Sequence, residues 1–272
     1  MFIGLDKPLI VGILNITPDS FSDGGHYLQP SKALEHVLQM HAQGADMIDI
    51  GGESTRPGAE PVSADEQIKR VIPVITEIRR HSSILLSIDT RLSEVAEAAL
   101  NAGANVINDV SAGRHDPAIL RVAALAEAPI VLMHSRETPK TMQDHPFYED
   151  VLHEVITELR ERINAALDAG IRPDHIVLDP GIGFAKRKQD NLTLLAGLEQ
   201  LTALGYPVLL GTSRKRFMGS ICPVHEPSEL VTATAVTTAL GVMAGVKLFR
   251  VHDIVQNRHA ADVAWAIKHC QD

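Results

Sequence analysis

Short runs of apolar, largely β-branched residues alternate eight times with longer amphipathic stretches, and nothing else in the chain constrains its fold as strongly. The runs are LIVGILN (9–15), MIDIG (47–51), ILLSID (84–89), VINDV (106–110), IVLMH (130–134), IVLDP (176–180), VLLGT (208–212) and KLFRVH (247–252). Most are apolar almost throughout and do not alternate apolar with polar, which is the pattern of parallel strands covered on both faces. The stretches between them carry helical periodicity over 31–43, 64–80, 93–101, 117–126, 148–169, 191–204, 228–244 and 254–269. In the fifth, Val151, Val155, Leu159, Ile163 and Leu167 recur every fourth residue, and Gly170 ends the pattern. Ser63 with Glu66 forms a capping box ahead of the second, and Pro73 predicts a kink inside it. Alternation of strand and helix implies a parallel sheet. Eight such units in 272 residues predict a single α/β domain over 1–272, a (β/α)8 TIM barrel, which typically needs ~250 residues. An open, doubly wound sheet is the alternative.

Composition narrows the function classes. Lys and Arg number 25 against 34 Asp and Glu, a net charge of −9. That balance predicts no nucleic-acid partner and at first sight sits badly with a polyanionic substrate. Two cysteines, Cys222 and Cys270, supply no disulfide framework, so a reducing, cytoplasmic setting is expected. The apolar run Leu9–Leu14 is too short for a signal peptide or a membrane span, and no membrane partner is expected.

In a barrel of this kind the chemistry lies at the C-terminal ends of the strands. The proposed strands end on Asn15, Asp49, Asp89, Asn108, His134, Asp179, Thr212 with Ser213, and Arg250 with His252. Asp and Asn there also suit turns and helix caps. Capping does not account for Asp49 and Asp89 inside apolar runs, because a buried carboxylate is costly unless paired and such groups concentrate at functional sites. Three loops stand out in composition. Residues 15–25 are polar and end on two glycines, with Phe21 in the middle, and suit a lid. Residues 51–58 set Arg56 among small residues. Residues 211–216 place Arg214, Lys215 and Arg216 after the seventh strand, where barrels often bind anions beside a short helix. No nucleotide-binding glycine loop, HExxH, CxxC or GxSxG motif is present. These features define a barrel enzyme with a polar, partly cationic mouth but do not define its reaction.

Taken in order, GILNITPDSFSDGG (12–25), DIGGESTRPGA (49–59), SIDT (87–90), IND (107–109), LDPGIGFAK (178–186), GTSRK (211–215) and RVHD (250–253) resemble dihydropteroate synthases over nearly the whole chain. The resemblance implies a (β/α)8 barrel that joins 4-aminobenzoate to 6-hydroxymethyl-7,8-dihydropterin diphosphate. The products are 7,8-dihydropteroate and pyrophosphate, a step of folate biosynthesis at which sulfonamides act as aminobenzoate analogues. It implies that Asp89, Asn108, Asp179 and Lys215 hold the pterin, backed by Asp49 and walled by Met133 and Phe184. Thr55, Arg250 and His252 are implied as diphosphate contacts and Asn15 as the Mg2+ position, with Asp89, Lys215, Arg250 and His252 carrying catalysis. Phe21, Asp23, Arg56 and Pro57, with Phe184 and Ser213, are implied for the aminobenzoate pocket. Loss of pyrophosphate ahead of amine attack suits a weak arylamine nucleophile, and the family suggests a homodimer with 231–246 as one candidate face. Two departures are visible. Ser135–Pro139 follow His134 where many members have Gln-Gly nearby, and Ala185 stands where some have Gly. A methyltetrahydrofolate-dependent methyltransferase and a pterin-binding homologue without turnover are the competing readings.

Overall fold

The computed structural model describes residues 2, 4–16, 29–54, 60–136 and 147–270. Eight strands appear where the apolar runs predict them: β1 (Leu9–Asn15), β2 (Met47–Gly51), β3 (Leu85–Asp89), β4 (Val106–Asp109), β5 (Ile130–Met133), β6 (Ile176–Asp179), β7 (Leu209–Leu210) and β8 (Leu248–Val251). All pair in parallel in the order β6-β5-β4-β3-β2-β1-β8-β7. The two ends of that order meet at a single bridge, Leu178 with Val208, where the Leu178 amide donates to Pro207 O at 2.9 Å. The sheet is therefore a nearly closed barrel, and the open-sheet alternative is excluded.

The helices are α1 (Gln29–Ala42), α2 (Ala64–His81), α3 (Ser93–Ala102), α4 (Ala118–Leu125), α5 (Val151–Asp168), α6 (Lys188–Ala196), α7 (Leu198–Thr202), α8 (Arg216–Gly219), α9 (Val231–Met243) and α10 (Ile254–Lys268). Ser63 caps α2 by accepting from the Glu66 amide, and Asp150 caps α5 by accepting from the His153 amide. Each such cap is worth about 1 kcal/mol. Helix α2 continues through Pro73. The single helix expected over 191–204 is two, divided at Gly197, where an added Cβ would lie 2.4 Å from Leu152 Cδ2 of α5. The stretch expected to begin at Ser228 opens with a 3-10 turn, Pro227–Glu229, before α9.

The period of two along each strand sorts the side chains. One set, including Ile10, Leu14, Ile48, Ile50, Leu86, Ile88, Leu132, Leu178 and Phe249, packs against the helices in the main core. The other set points into the barrel. Its lowest layer, Val11, Met47, Val106, Val131, Val177, Leu209 and Leu248, is closed from below by Phe2. Two residues further along the strands come Ile13, Asp49, Ser87, Asn108, Met133, Asp179, Gly211 and Arg250. An apolar plug thus supports a polar floor, and the polar strand-end residues collect at one end. Among the described residues no helix is long and apolar enough to cross a membrane.

Candidate active site

A cavity of about 720 Å³ opens at the C-terminal ends of the strands. That volume is within the range of small-molecule sites, ~300–1,000 Å³. Of the residues predicted from sequence, Asn15, Asp89, Asn108, Met133, Asp179, Phe184, Ser213, Lys215, Arg250 and His252 all line it. Phe21, Asp23, Thr55, Arg56 and Pro57 lie outside the described residues, as does most of the departing fifth loop. Strand register explains the convergence: Gly51 pairs with Asp89, Asp89 with Asn108, and Met133 with Asp179.

Asp49 organises the floor without lining the cavity. Its Oδ1 accepts from Ser87 Oγ at 2.5 Å, and its Oδ2 accepts from Asn108 Nδ2 at 3.0 Å and Arg250 Nε at 2.6 Å. Arg250 Nη2 donates to Asp89 Oδ2 at 2.9 Å. Arg250, expected as a diphosphate contact and a catalytic residue, is also the bridge between two buried carboxylates. Two of its five N–H groups are engaged in these bonds, which leaves donors for a ligand. Asn108 gives its amino group to Asp49, and its carbonyl oxygen remains as an acceptor beside the cavity.

Burial dominates the electrostatics. It pushes the Asp89 carboxyl well above the usual carboxylate range, the neighbouring Asp49 charge pushes it further, and Arg250 opposes both. Asp179 is pushed up to about 6 by burial, against the Gly181 amide that donates to its Oδ1 at 2.7 Å and against Lys215, Lys186 and Arg250. Burial brings Lys215 down to about 8, against the attraction of Asp179. The Lys215 ammonium stands 4.2 Å over the Phe184 ring. Carboxylates and an ammonium near the edge of their charged ranges, at the bottom of one cleft, are the signature of a polar-ligand site.

The rim is cationic. Arg214 is held by two bonds to Asp253, at 3.0 and 2.6 Å, and Lys215 is the N-cap of the short helix α8. Ser213 Oγ is hydrogen-bonded to His252 Nδ1 at 2.9 Å and accepts from the His252 backbone amide at 3.1 Å, which fixes the imidazole at the end of the last strand. Lys186, Lys188 and Arg216 also line the cavity. The net charge of −9 thus describes the exterior of the molecule rather than its mouth.

Several contributors had no assigned role in the sequence. Lys186, the last residue of the LDPGIGFAK segment, is buried, at 3% exposure, and had no role assigned to it. Glu53, Gln67, Thr90 and Arg91 form a buried network at the base of the second loop, with Arg91 Nη2 and Gln67 Nε2 each 2.9 Å from the Glu53 carboxylate. Only a buried Arg and Glu on neighbouring loops betrays it, and burial is not visible in a single loop's composition. Ala185 adopts φ +47°, which explains why Gly suits that position; the methyl costs about 1 kcal/mol there.

Asn15 meets the requirement for a hard-cation ligand in part. No hydrogen bond from a described residue reaches its amide, which faces the cavity at the end of β1. Among the described residues no group of three or more His, Cys, Asp or Glu side chains is placed to hold a metal alone. A side-chain amide oxygen supplemented by other oxygen ligands and water fits Mg2+ and suits no thiolate or imidazole metal.

The family model of pterin-binding enzymes matches residues 11–252. The dihydropteroate synthase of Bacillus subtilis strain 168 is 48% identical over 251 residues, covering 92% of this chain and 85% of that one. The structure of dihydropteroate synthase from Clostridium difficile in the presence of pteroic acid superposes with a TM-score of 0.92 at 42% identity, covering 98% of both chains. That of Xanthomonas albilineans dihydropteroate synthase with 4-aminobenzoic acid gives 0.91 at 44% identity, covering 97% of this chain and 94% of that one. With its barrel, its polar floor and these relatives, the chain belongs to the dihydropteroate synthase family of pterin-binding enzymes.

Proposed function

We propose that the protein condenses 6-hydroxymethyl-7,8-dihydropterin diphosphate with 4-aminobenzoate, yielding 7,8-dihydropteroate and pyrophosphate for folate biosynthesis. The observation that carries this reading is the placement of Asp89, Asn108, Asp179 and Lys215 around one cavity in a chain of this family. The pterin ring presents N–H donors along one edge and acceptors along the other. Asp179 and Asp89 accept from the donors, Asn108 offers its carbonyl oxygen, and Lys215 donates to the acceptor side while standing over Phe184. A site built on such pairings rejects rings that lack them by large factors.

Arg250 and His252 face the diphosphate from the last strand, and Thr55 is proposed as a further contact. Mg2+ bound through the Asn15 amide oxygen would supply charge that stabilises the diphosphate as a leaving group. The bond between the pterin methylene carbon and the diphosphate oxygen breaks with its electron pair on the leaving oxygen. The arylamine nitrogen then forms the new carbon–nitrogen bond and releases a proton to water. Arg250 stabilises the departing charge, while the Asp89 carboxylate stabilises the cationic pterin methylene. Phe21, Asp23, Arg56, Pro57, Phe184 and Ser213 are proposed to form the aminobenzoate pocket and keep water from that cation.

We further propose a cytoplasmic homodimer. Support comes from α9 and α10, which expose Val236, Leu240, Met243, Val263 and Ile267. The function is tested by incubating both substrates with the protein and identifying 7,8-dihydropteroate by mass. Turnover is expected to fall by orders of magnitude in Asp89→Ala and Lys215→Ala with the fold retained. Undiminished turnover in either variant would overturn the site assignment.

A further inference from the structure

Outside the groups already given roles, the most heavily constrained polar group near the cavity is Lys186. Its ammonium is buried at the end of the β6 loop and has three acceptors for its three N–H bonds: His134 Nδ1 at 3.0 Å, His134 O at 3.3 Å and Phe184 O at 2.9 Å. His134 Nε2 lies 3.2 Å from Glu158 Oε2 on α5. Glu158 in turn accepts from Arg114 Nη2 at 3.1 Å and Arg136 Nε at 2.7 Å. Burial and the Lys186 charge depress His134 to about 4, so the imidazole is neutral. Its Nδ1 then accepts from Lys186 and its Nε2–H donates to Glu158, an unbroken chain from the cavity wall to α5.

The loop held by this chain is irregular. Gly181 and Gly183 have φ of +67° and +81°, and Ala185 has φ +47°. A Cβ on Gly181 would fall 1.9 Å from His134 O, so the loop backbone lies directly against the end of β5. The same short loop supplies the Gly181 amide to Asp179 and the Phe184 ring to Lys215. An apolar side chain of similar length would fill the space of Lys186 without the cost of a buried ammonium. It would supply neither the three donors nor a positive charge near Asp179.

We propose that Lys186, linked through His134 to Glu158, is a positioning residue that sets the Gly181–Phe184 wall of the pterin pocket and places a positive charge on the Asp179 side of that wall. This rests on the reading that the pterin seats against Asp179. The charged groups acting on Asp179 are Lys215, Lys186 and Arg250, and those acting on Lys186 are Asp179, Lys215, Glu158 and Arg136. Burial brings Lys186 to about 7, within reach of titration.

The test measures the Kd of 6-hydroxymethylpterin by fluorescence, with steady-state kinetics on the pterin diphosphate and 4-aminobenzoate, for wild type and four variants. Lys186→Met is expected to raise the pterin Kd and the KM of the pterin diphosphate at least tenfold, with kcat changed less than threefold. The acid limb of kcat/KM is expected to move to higher pH, because Asp179 has lost a neighbouring cation. Lys186→Arg, which keeps the charge but loses the three-point fit, is expected to leave the acid limb in place while Kd stays severalfold raised. Glu158→Gln, outside the cavity and partly exposed, serves if Lys186→Met does not fold and is expected to raise Kd about threefold. An unchanged pterin Kd in a folded Lys186→Met, or in Glu158→Gln in its place, overturns the proposal. Asp179→Asn separates the two levels. If it binds pterin as wild type does, the reading of the pocket fails; if it loses pterin while Lys186→Met does not, only the positioning role fails.

Discussion

Asp49→Asn probes the floor of the site without touching its cavity. The carboxylate is buried and collects three donors, Ser87 Oγ, Asn108 Nδ2 and Arg250 Nε. The amide has the same shape, one acceptor oxygen and no charge. Kept towards Asn108 and Arg250, that oxygen retains both bonds, and the Ser87 hydroxyl rotates to accept from the new amino group. The loss is then the charge assistance of the Arg250 bond, about 2 kcal/mol. At about 2–4 °C per kcal/mol for a chain near this size, Tm falls by roughly 4–8 °C. A second effect has the opposite sign. The Asp49 charge helps raise the Asp89 carboxyl, and Arg250, released from Asp49, pairs with Asp89 alone. Asp89 therefore ionises more easily, and the acid limb of kcat/KM for the pterin diphosphate moves to lower pH even as the protein becomes less stable. Thermal unfolding and a pH–rate series on the same preparation measure both. An acid limb that stays in place or climbs refutes the reasoning, whatever happens to Tm.

In the proposed binding mode, the pterin pocket needs Asp89 and Asp179 ionised and Lys215 charged. The kcat/KM profile for the pterin diphosphate is therefore expected to be bell-shaped, with its acid limb at or above about 6 and its alkaline limb near 8. Asp179→Asn should abolish pterin binding yet stabilise the free protein. The folded pKa of about 6 lies above the ordinary 3.8, so stability is lost as pH rises from ~4 to ~6, and ionisation costs up to about 3 kcal/mol above that window. Lys215 and Lys186 lose a counter-charge in the variant, so a gain of about 1–2 kcal/mol in urea unfolding at pH 8 is expected, and a net loss would contradict the assignment. Chelation by EDTA should stop turnover while leaving the Kd of 6-hydroxymethylpterin within twofold, since Asn15 is proposed to serve the diphosphate and not the ring.

Most of this architecture is written locally. Continuous apolar runs locate all eight strands to within a residue or two, because strands covered on both faces admit few polar side chains. The inward period of two then carries Asp49, Asp89, Asn108, Asp179 and Arg250 to one end without any knowledge of their partners. What escapes the sequence depends on contacts between distant segments. The expected sixth helix divides at Gly197, where Leu152 leaves no room for a side chain, and β7 is reduced to two residues because only β8 pairs with it along its length. Arg250 reads as a ligand contact and catalytic residue, and only the structure joins it to carboxylates 201 and 161 residues away. Lys186 closes the LDPGIGFAK segment, but its partner His134 lies 52 residues away, so sequence gives it no role, and of the three adjacent cations Lys186, Arg187 and Lys188 only the first is buried.

Coupling of diphosphate loss to arylamine capture by the polar floor, the cationic rim and the loops is the core of the proposed reaction. It is tested most directly by following pyrophosphate release from the pterin diphosphate in Mg2+, with and without 4-aminobenzoate, on protein shown to bind pterin. Release that requires added 4-aminobenzoate and matches the dihydropteroate formed is the predicted result. No release from folded, pterin-binding protein, or release indifferent to 4-aminobenzoate, would contradict it.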